Sequence, residues 1–274
     1  MNLQVFVRSR SSGNPETVTR YLQECRRFAG WLGSRPLTLE AVQEYESYLA
    51  ARYKPNSLQN KAAAVNLYLE WRKVDVRMKR PAKQIIANPR LVSDDEYVAL
   101  LKRIANPEER LVVRLLHDSF LRPSDVVSIR VADLDTSEGI TVVRRETQKT
   151  GAVSESILTK ETALELRDYI ASRGLTDYLF PGETGRPHRH RTWPNAVLRK
   201  HGAEGISPRT FRRTGATRWG DDLASLMAQG AWSDPRTVLR HYRRNLRERH
   251  VREYERAMGL AKDHDPEDEV PGYG

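Results

Sequence analysis

The chain has 274 residues, which is longer than a typical single domain and favours two domains, each with its own core. Its 46 lysines and arginines against 36 aspartates and glutamates give a formal net charge of +10, and such a charge attracts polyanions, nucleic acid first among them. The single cysteine excludes an internal disulfide, the scattered histidines show no zinc-ligand spacing, and no apolar run forms a signal peptide or a membrane span, so we expect a cytoplasmic protein without a metal site.

The first part of the chain has apolar residues at helical spacing in three segments. Asn14 followed by Pro15 is a typical helix start, Thr38 begins a second segment, and a third begins near residue 56. The pattern predicts a small helical domain over residues 14–72.

A basic segment follows over residues 73–90 and contains two prolines. We predict a linker that contacts DNA, although composition alone equally allows a solvated loop. The candidate DNA-binding residues of this segment are Lys73, Arg77, Lys79, Arg80 and Lys83.

A second domain is predicted over residues 91–262. Ser93 and Glu96 form a capping box before its first helix, and the run "RLVVRLLHDSF" is apolar on several faces, which predicts a buried helix. Two segments rich in β-branched residues flank "TQKTGA" and predict a hairpin. The remainder is mainly helical, and the acidic residues 263–274 are expected to form a disordered tail.

The candidates for phosphate chemistry are scattered over this second domain. Arg122 directly precedes Pro123 at the start of a short predicted helix, and Asp125 falls in the first turn of that helix. Lys149 lies at the tip of the predicted hairpin. Each of these residues is unremarkable by itself, since a surface arginine or a turn lysine needs no functional explanation.

Two further segments add positive charge. Ser207 is a predicted N-cap, and it places Arg209 and Arg212 on one face of the following helix. Arginines in a first turn oppose the helix dipole, and a nearby anion would relieve this. The segment "WSDPRTVLRHYRRN" begins with Trp232 and places Tyr242 among four arginines and a histidine.

Taken in order, Arg122, Lys149, the box from Arg209 to Arg212, Trp232 and Tyr242 resemble the catalytic residues of the tyrosine recombinase (phage integrase) family. The resemblance covers nearly the whole chain. It implies a mainly α fold with a small antiparallel β-sheet in the catalytic domain, and two domains that form a C-shaped clamp around DNA. The 14–72 segment would be the core-binding domain and 91–262 the catalytic domain.

The resemblance also implies a role for each residue. Tyr242 would attack the scissile phosphate and form a phosphotyrosyl link, while Arg122 and Arg212 would hold the non-bridging oxygens. Lys149 would protonate the leaving 5′ oxygen, and the Trp232 indole N–H would donate to a phosphate oxygen. Asp125 would not contact the phosphate itself but would orient the Arg122 guanidinium. No metal or other cofactor is required by this set.

The sequence departs from the family pattern in three places. Arg209 stands where the family usually has histidine, and Phe120 stands where glycine is common. Tyr242 lies one position later than usual after Trp232, so that His241 occupies the standard position. A shift of one residue on a helix rotates a side chain by about 100°.

Two other functions compete with a recombinase. The departures favour a recombinase-like protein that binds its site without cutting, and a type IB topoisomerase shares the chemistry but is disfavoured by the small N-terminal domain. The resemblance implies double-stranded DNA with paired sites as the partner, a monomer in solution and a homo-tetramer on DNA. An apolar stripe on the last predicted helix would dock into a neighbouring protomer or pack on its own domain; the stripe comprises Val251, Tyr254, Met258 and Leu260.

Overall fold

A computed structural model describes most of the chain, and the chain divides into two compact units, Met1–Ile85 and Ile86–Gly274. The described residues are 2–11, 15–82, 84, 90–136, 140–146, 151, 153–183, 185–219, 222–241 and 258. None of the helices in these ranges is long and apolar enough to cross a membrane.

The first unit is a four-helix assembly in its described part. Its apolar faces meet around Phe28, which is fully buried and lies 4.8 Å from Tyr45 and 5.6 Å from Tyr68 between ring centroids. Aromatic pairs at such distances add to the stabilisation from burial alone. The helices are α1 (Leu3–Arg10), α2 (Pro15–Leu32), α3 (Leu39–Ala50) and α4 (Pro55–Trp71).

Local sequence explains where these helices begin. Thr38 caps α3 by accepting a hydrogen bond from the Ala41 N–H, as the sequence predicted, and Pro55 occupies the first turn of α4. Helix α1 was not predicted, because eight residues are too few for a periodic pattern to stand out. It is capped by Asn2 and buries Phe6 and Val7.

The predicted linker is not a separate segment over its first part, which is a correction to the sequence analysis. Met78 is 2 % exposed and belongs to the core of the first unit. Asn66 on α4 fixes it on both sides, since the Asn66 amide accepts from the Met78 N–H at 2.7 Å and donates to the Met78 carbonyl at 3.0 Å. The chain therefore leaves the first unit near residue 85, and not near residue 73.

The second unit is mainly helical, with one three-stranded antiparallel sheet in its described part. Helix α6 lies at the centre of the core, as predicted, with Leu111, Leu115 and Leu116 fully buried. The helices are α5 (Asp94–Arg103), α6 (Pro107–Ser119), α7 (Pro123–Val127), α8 (Lys160–Arg173), α9 (Trp193–Lys200), α10 (Pro208–Arg218), α11 (Leu223–Gly230) and α12 (Pro235–His241). The strands are β1 (Leu134–Asp135), β2 (Val142–Glu146) and β3 (Val153–Ile157).

The hairpin and the capping box predicted from the sequence are both confirmed. β2 and β3 pair antiparallel from Val142 opposite Ile157 to Glu146 opposite Val153. At the start of α5, the Ser93 hydroxyl accepts from the Glu96 N–H, and the Glu96 carboxylate accepts from the Ser93 N–H. The mainly α fold with a small antiparallel sheet is therefore confirmed.

Candidate functional site: an arginine-lined cavity

Arg122 lies at the N-cap of α7, where Pro123 forces the chain into a new helix. Asp125, one turn further on, is fully buried, and its Oδ2 lies 3.7 Å from Nη1 of Arg122. A buried carboxylate at this distance fixes the position of the guanidinium by electrostatic attraction. This geometry is in line with the orienting role that the resemblance implied for Asp125.

The residue two positions before Arg122 has left-handed backbone geometry. Phe120 has φ 53° and ψ 14°, a conformation that costs a residue with a Cβ about 1–2 kcal/mol. Its ring packs edge-on against Trp219 at 5.7 Å and lies so close to Gly215 that a methyl group there would collide with it. The positive φ gives a physical reason why glycine is common at this position, and the packing of the ring offsets its cost here.

Arg212 on α10 is the buried centre of the site, with only 2 % of its surface exposed. Its Nη1 donates to the carbonyl oxygen of Phe120 and, at 2.5 Å, to the carbonyl oxygen of Gly230. One guanidinium thus joins the segment that leads into α7 to the end of α11. Main-chain carbonyls are neutral acceptors, so these bonds hold the arginine in place without cancelling its charge.

Trp232 completes the enclosure of Arg212. The guanidinium carbon lies 3.7 Å from the centroid of the Trp232 ring, and the tryptophan is 3 % exposed. A desolvated cation–π contact of this kind is worth about 2 kcal/mol. Ala231 allows Trp232 to approach Arg212. Its left-handed backbone, φ 49° and ψ 55°, ends α11 and reverses the direction of the chain.

A cavity of about 510 Å³ lies beside these residues. Three segments line it: the start of α7 with Arg122, the start of α10 with Arg209 and Arg212, and the start of α9. The last segment contributes Arg191, Thr192 and Asn195, which the sequence analysis had not singled out. Among the described residues that line the cavity, none is acidic, so the cavity suits an anion.

Two side chains that carried no sequence motif connect the segments of the site. Gln229 on α11 donates to the main-chain oxygens of Asp118 and Ile157, and it accepts from the Ile157 N–H at 2.9 Å. It therefore fastens α11 to strand β3. Nothing in the sequence distinguishes this glutamine from a surface residue.

Arg145 on β2 connects the hairpin to α7. It donates to the Asp125 carbonyl and, at 3.0 Å, to the Ser128 hydroxyl. Its neighbour Arg144 instead pairs with Asp135 and Glu155 on the exposed side. The alternation of side chains along a strand was the available signal that one of two adjacent arginines points inward.

The structure brings together Arg122, Asp125, Arg209, Arg212 and Trp232, which are the described members of the predicted set. Lys149 and Tyr242 lie outside the described residues, as do Lys83 and the tail. Strand β2 ends at Glu146 and strand β3 begins at Val153, so the two strands flank the segment that contains Lys149. Of the apolar stripe predicted on the last helix, only Met258 is described, and it is 59 % exposed.

The described part of the chain contains no group of three or more His, Cys, Asp or Glu side chains that could hold a metal ion. The predicted DNA-binding residues Lys73, Arg77, Lys79 and Arg80 are exposed on the first unit. Lys73 has φ 58° and follows the last turn of α4, so it also serves to end that helix.

The fold is that of a tyrosine-type site-specific DNA recombinase. The sequence model of the phage integrase family matches residues 90–249, more than half of the chain, and the chain therefore belongs to that family.

Curated relatives include the tyrosine recombinase XerA of Thermococcus kodakarensis, which is 26% identical over 216 residues, or 74% of this chain and 75% of the relative. XerA of Saccharolobus solfataricus is 27% identical over 179 residues, 60% of each chain. Among solved structures, a lambda integrase tetramer bound to a Holliday junction has a TM-score of 0.68 at 17% identity, covering 87% of this chain and 75% of the other. A crystal structure of XerA recombinase has a TM-score of 0.52 at 22% identity, covering 95% and 98%. At these identities the structures support the fold alone.

Proposed function

We propose that this protein cleaves and rejoins DNA through a covalent 3′-phosphotyrosyl intermediate, without a metal or nucleotide cofactor. The observation that carries the proposal is Arg212. It is buried, held by two carbonyl oxygens and an indole ring, and lines a cavity together with Arg122 and Arg209. Preorganised cations of this kind stabilise negative charge that develops in a transition state.

The reaction needs one bond to form as another breaks. The phenolic oxygen of Tyr242 attacks the scissile phosphorus, its proton passes to solvent water, and the bond from phosphorus to the 5′ oxygen breaks. Lys149 gives a proton to that 5′ oxygen. The phosphotyrosyl ester keeps the bond energy, so an incoming 5′ hydroxyl reverses the same steps and reseals the strand.

The arginines neutralise the phosphate while this happens. Arg122, oriented by Asp125, and Arg212 bind the non-bridging oxygens through fork-shaped, charge-assisted hydrogen bonds. Arg209 supplies a guanidinium with N–H donors, so it contributes binding to the phosphate and not the proton transfer of a histidine. Trp232 contributes by packing its ring against the Arg212 guanidinium, and its indole N–H is proposed as a further donor to the phosphate.

Binding and assembly complete the proposal. Lys73, Arg77, Lys79, Arg80 and Lys83 contact the DNA backbone next to the helices of the first unit, and four protomers gather on two paired sites. The family membership and the solved tetramer of lambda integrase on a Holliday junction support this arrangement. The protein acts on nucleoid DNA in the cytoplasm and is a monomer away from DNA.

A selection for covalent capture tests the chemistry. The protein is mixed with a pool of nicked duplexes that have random central sequences, and detergent-resistant protein–DNA adducts are isolated and sequenced. We expect the wild type to enrich one site and Tyr242→Phe to form no adduct, because only the nucleophilic oxygen is lost. Tyr254→Phe is the matched control and should behave as the wild type. Adducts that persist in Tyr242→Phe would overturn the assignment.

A second candidate function is binding without cleavage, which the arginine at position 209 and the late position of Tyr242 favour. Duplexes retained on the wild-type protein without any adduct would support it. Relaxation of a supercoiled plasmid without exchange between two sites would instead indicate a topoisomerase.

A further inference from the structure

One wall of the arginine-lined cavity has no role in the chemistry described above. It consists of Arg191 and Thr192, at the end of the loop that precedes α9, and of Asn195 in the first turn of that helix. These residues come from a segment of sequence separate from those that carry Arg122 and Arg212. The loop contains the run "RPHRHR", which matched none of the motifs in the sequence analysis.

The segment that carries Arg191 is anchored on both sides. Arg189 donates to Glu108 at 3.1 Å and pairs with Glu183, so it is committed to holding the loop. Trp193 packs against the buried Phe180, with ring centroids 5.3 Å apart. Because the residues on either side are fixed, the exposed Arg191 between them is presented to the cavity from a constrained backbone.

The cavity lining has more cationic side chains than a single phosphate has negative charges. Four arginines line it, at positions 122, 191, 209 and 212, and the described lining contains no acid. A phosphodiester carries a single negative charge. The volume, about 510 Å³, falls within the range of pockets that hold a ligand of drug size, which is larger than one phosphate group. Both observations indicate that the cavity holds more of the DNA strand than the scissile phosphate.

We propose that Arg191, with Asn195 beside it, binds the DNA phosphate adjacent to the scissile one. The guanidinium supplies a fork of donors for the phosphate oxygens, and the Asn195 amide supplies a neutral donor. Arg191 is a DNA-binding residue that fixes the register of the strand over Arg122 and Arg212, and it does not touch the reacting atoms. The inference rests on the proposed function, since it takes the cavity to be the cleavage site.

The test is a binding experiment that does not require cleavage. Duplexes are first enriched by several rounds of binding to the Tyr242→Phe variant. Each phosphate of the enriched site is then replaced in turn by a neutral methylphosphonate, and Kd is measured for Tyr242→Phe alone and with Arg191→Ala, Arg191→Lys, Arg122→Ala or Arg199→Ala added. Arg199 is the matched control, because it is an exposed arginine on α9, the helix that follows Arg191, and does not line the cavity.

We expect Arg191→Ala to weaken binding about tenfold, the usual loss for one charge-assisted hydrogen bond, and to reduce the slope of log K against log salt by about 0.9. Arg191→Lys should keep the slope, and Arg199→Ala should change neither quantity. At one phosphate, the neutral methylphosphonate should weaken binding by the Tyr242→Phe variant about tenfold. The same replacement should not weaken binding further when Arg191→Ala is also present. A second phosphate should lose its effect on binding in the same way when Arg122→Ala is present. The phosphate coupled to Arg191 should be next to this second phosphate in the strand.

Two outcomes would overturn the inference. In the first, no phosphate is coupled to Arg191, or Arg199→Ala produces the same loss. In the second, Arg191 and Arg122 are coupled to one and the same phosphate, which would make Arg191 a ligand of the scissile group. Neither outcome bears on the covalent adduct of Tyr242, so failure of this inference and failure of the proposed function are distinguishable.

Discussion

Each of the two units buries a cation, and the two cations are held in different ways. In the first unit, Lys61 on α4 contacts Glu24 on α2 at 2.8 Å, and both side chains are only 11% exposed. In the second unit, Arg212 donates to the carbonyl oxygens of Phe120 and Gly230 and lies against Trp232.

The difference separates a charge that joins two helices from one to which we assign a role in the proposed reaction. A carboxylate neutralises Lys61, so the pair links two helices and has no charge left for a ligand. The carbonyl oxygens and the indole face that contact Arg212 are neutral groups, so these contacts hold the guanidinium beside the cavity without themselves cancelling its charge. The way in which a buried cation is held is therefore evidence for its role.

The largest expected effect concerns Arg212. Arg212→Ala should reduce the rate of adduct formation on the selected nicked duplex by about 100- to 1,000-fold, because a preorganised cation is lost at the phosphate. Affinity for the same duplex should change little, which also shows that the variant is folded. Arg218→Ala on the same helix is the control, since Arg218 pairs with Asp94 outside the cavity. Normal cleavage by Arg212→Ala would place the active site elsewhere.

The next effect concerns the ion pair of the first unit. Glu24→Gln should lower the free energy of unfolding of this unit by about 3 kcal/mol, because Lys61 is left buried without its carboxylate. Hydrogen exchange of the α2 and α4 amides measures this locally. Adding Lys61→Met should recover most of the loss. If Glu24→Gln instead weakened DNA binding at unchanged stability, the pair would have a function at the DNA surface.

A buried anion near the site gives a prediction about pH. Burial would raise the pKa of Asp118, but hydrogen bonds from His117, Thr162 and Thr159 outweigh it and lower the pKa below its ordinary value of 3.8. The ionised carboxylate therefore stabilises the fold above that value, and this contribution is lost as the pH falls through the lower folded value.

Asp118→Asn should lower the free energy of unfolding of the second unit by about 2 kcal/mol at pH 7. Urea unfolding, monitored by hydrogen exchange of the α6 and α8 amides, measures this change. The variant should also lose less stability than the wild type between about pH 4 and pH 2. Asp168→Asn is the control, since this carboxylate is exposed on α8. Equal acid sensitivity in the wild type and Asp118→Asn would contradict the prediction.

The smallest effect concerns the backbone that presents the Gly230 carbonyl to Arg212. Ala231→Gly should raise the stability of the second unit by about 0.5–1 kcal/mol, because relief of the left-handed strain outweighs the loss of a buried methyl group. Ala228→Gly, in the right-handed part of α11, should do the opposite by about 1 kcal/mol. Thermal unfolding compares the two variants, and a destabilised Ala231→Gly would show that the methyl packing dominates.

Local features were predictable wherever the residues that decide them are close in sequence. The caps at Thr38, Ser93 and Ser207, and the hairpin of β2 and β3, depend on contacts within a few residues. The short helix α1 and the two-residue strand β1 were not predicted, because such short elements show no periodicity. The first part of the linker was predicted as a separate segment because its attachment depends on the burial of Met78 and on its hydrogen bonds to Asn66, which no local pattern reveals.

The order of Arg122, Lys149, the box from Arg209 to Arg212, Trp232 and Tyr242 along the chain predicted a phosphate site through its resemblance to the tyrosine recombinase family. The sequence did not determine how the charge of that site is held. Arg212 meets Phe120 and Gly230 from 92 and 18 residues away, and Gln229 reaches β3 from 72 residues away. Only the packing of α6, α10 and α11 brings these groups within hydrogen-bonding distance. For the same reason Arg191, one exposed arginine among many in the sequence, became a candidate only once the tertiary structure placed it on the wall of the cavity.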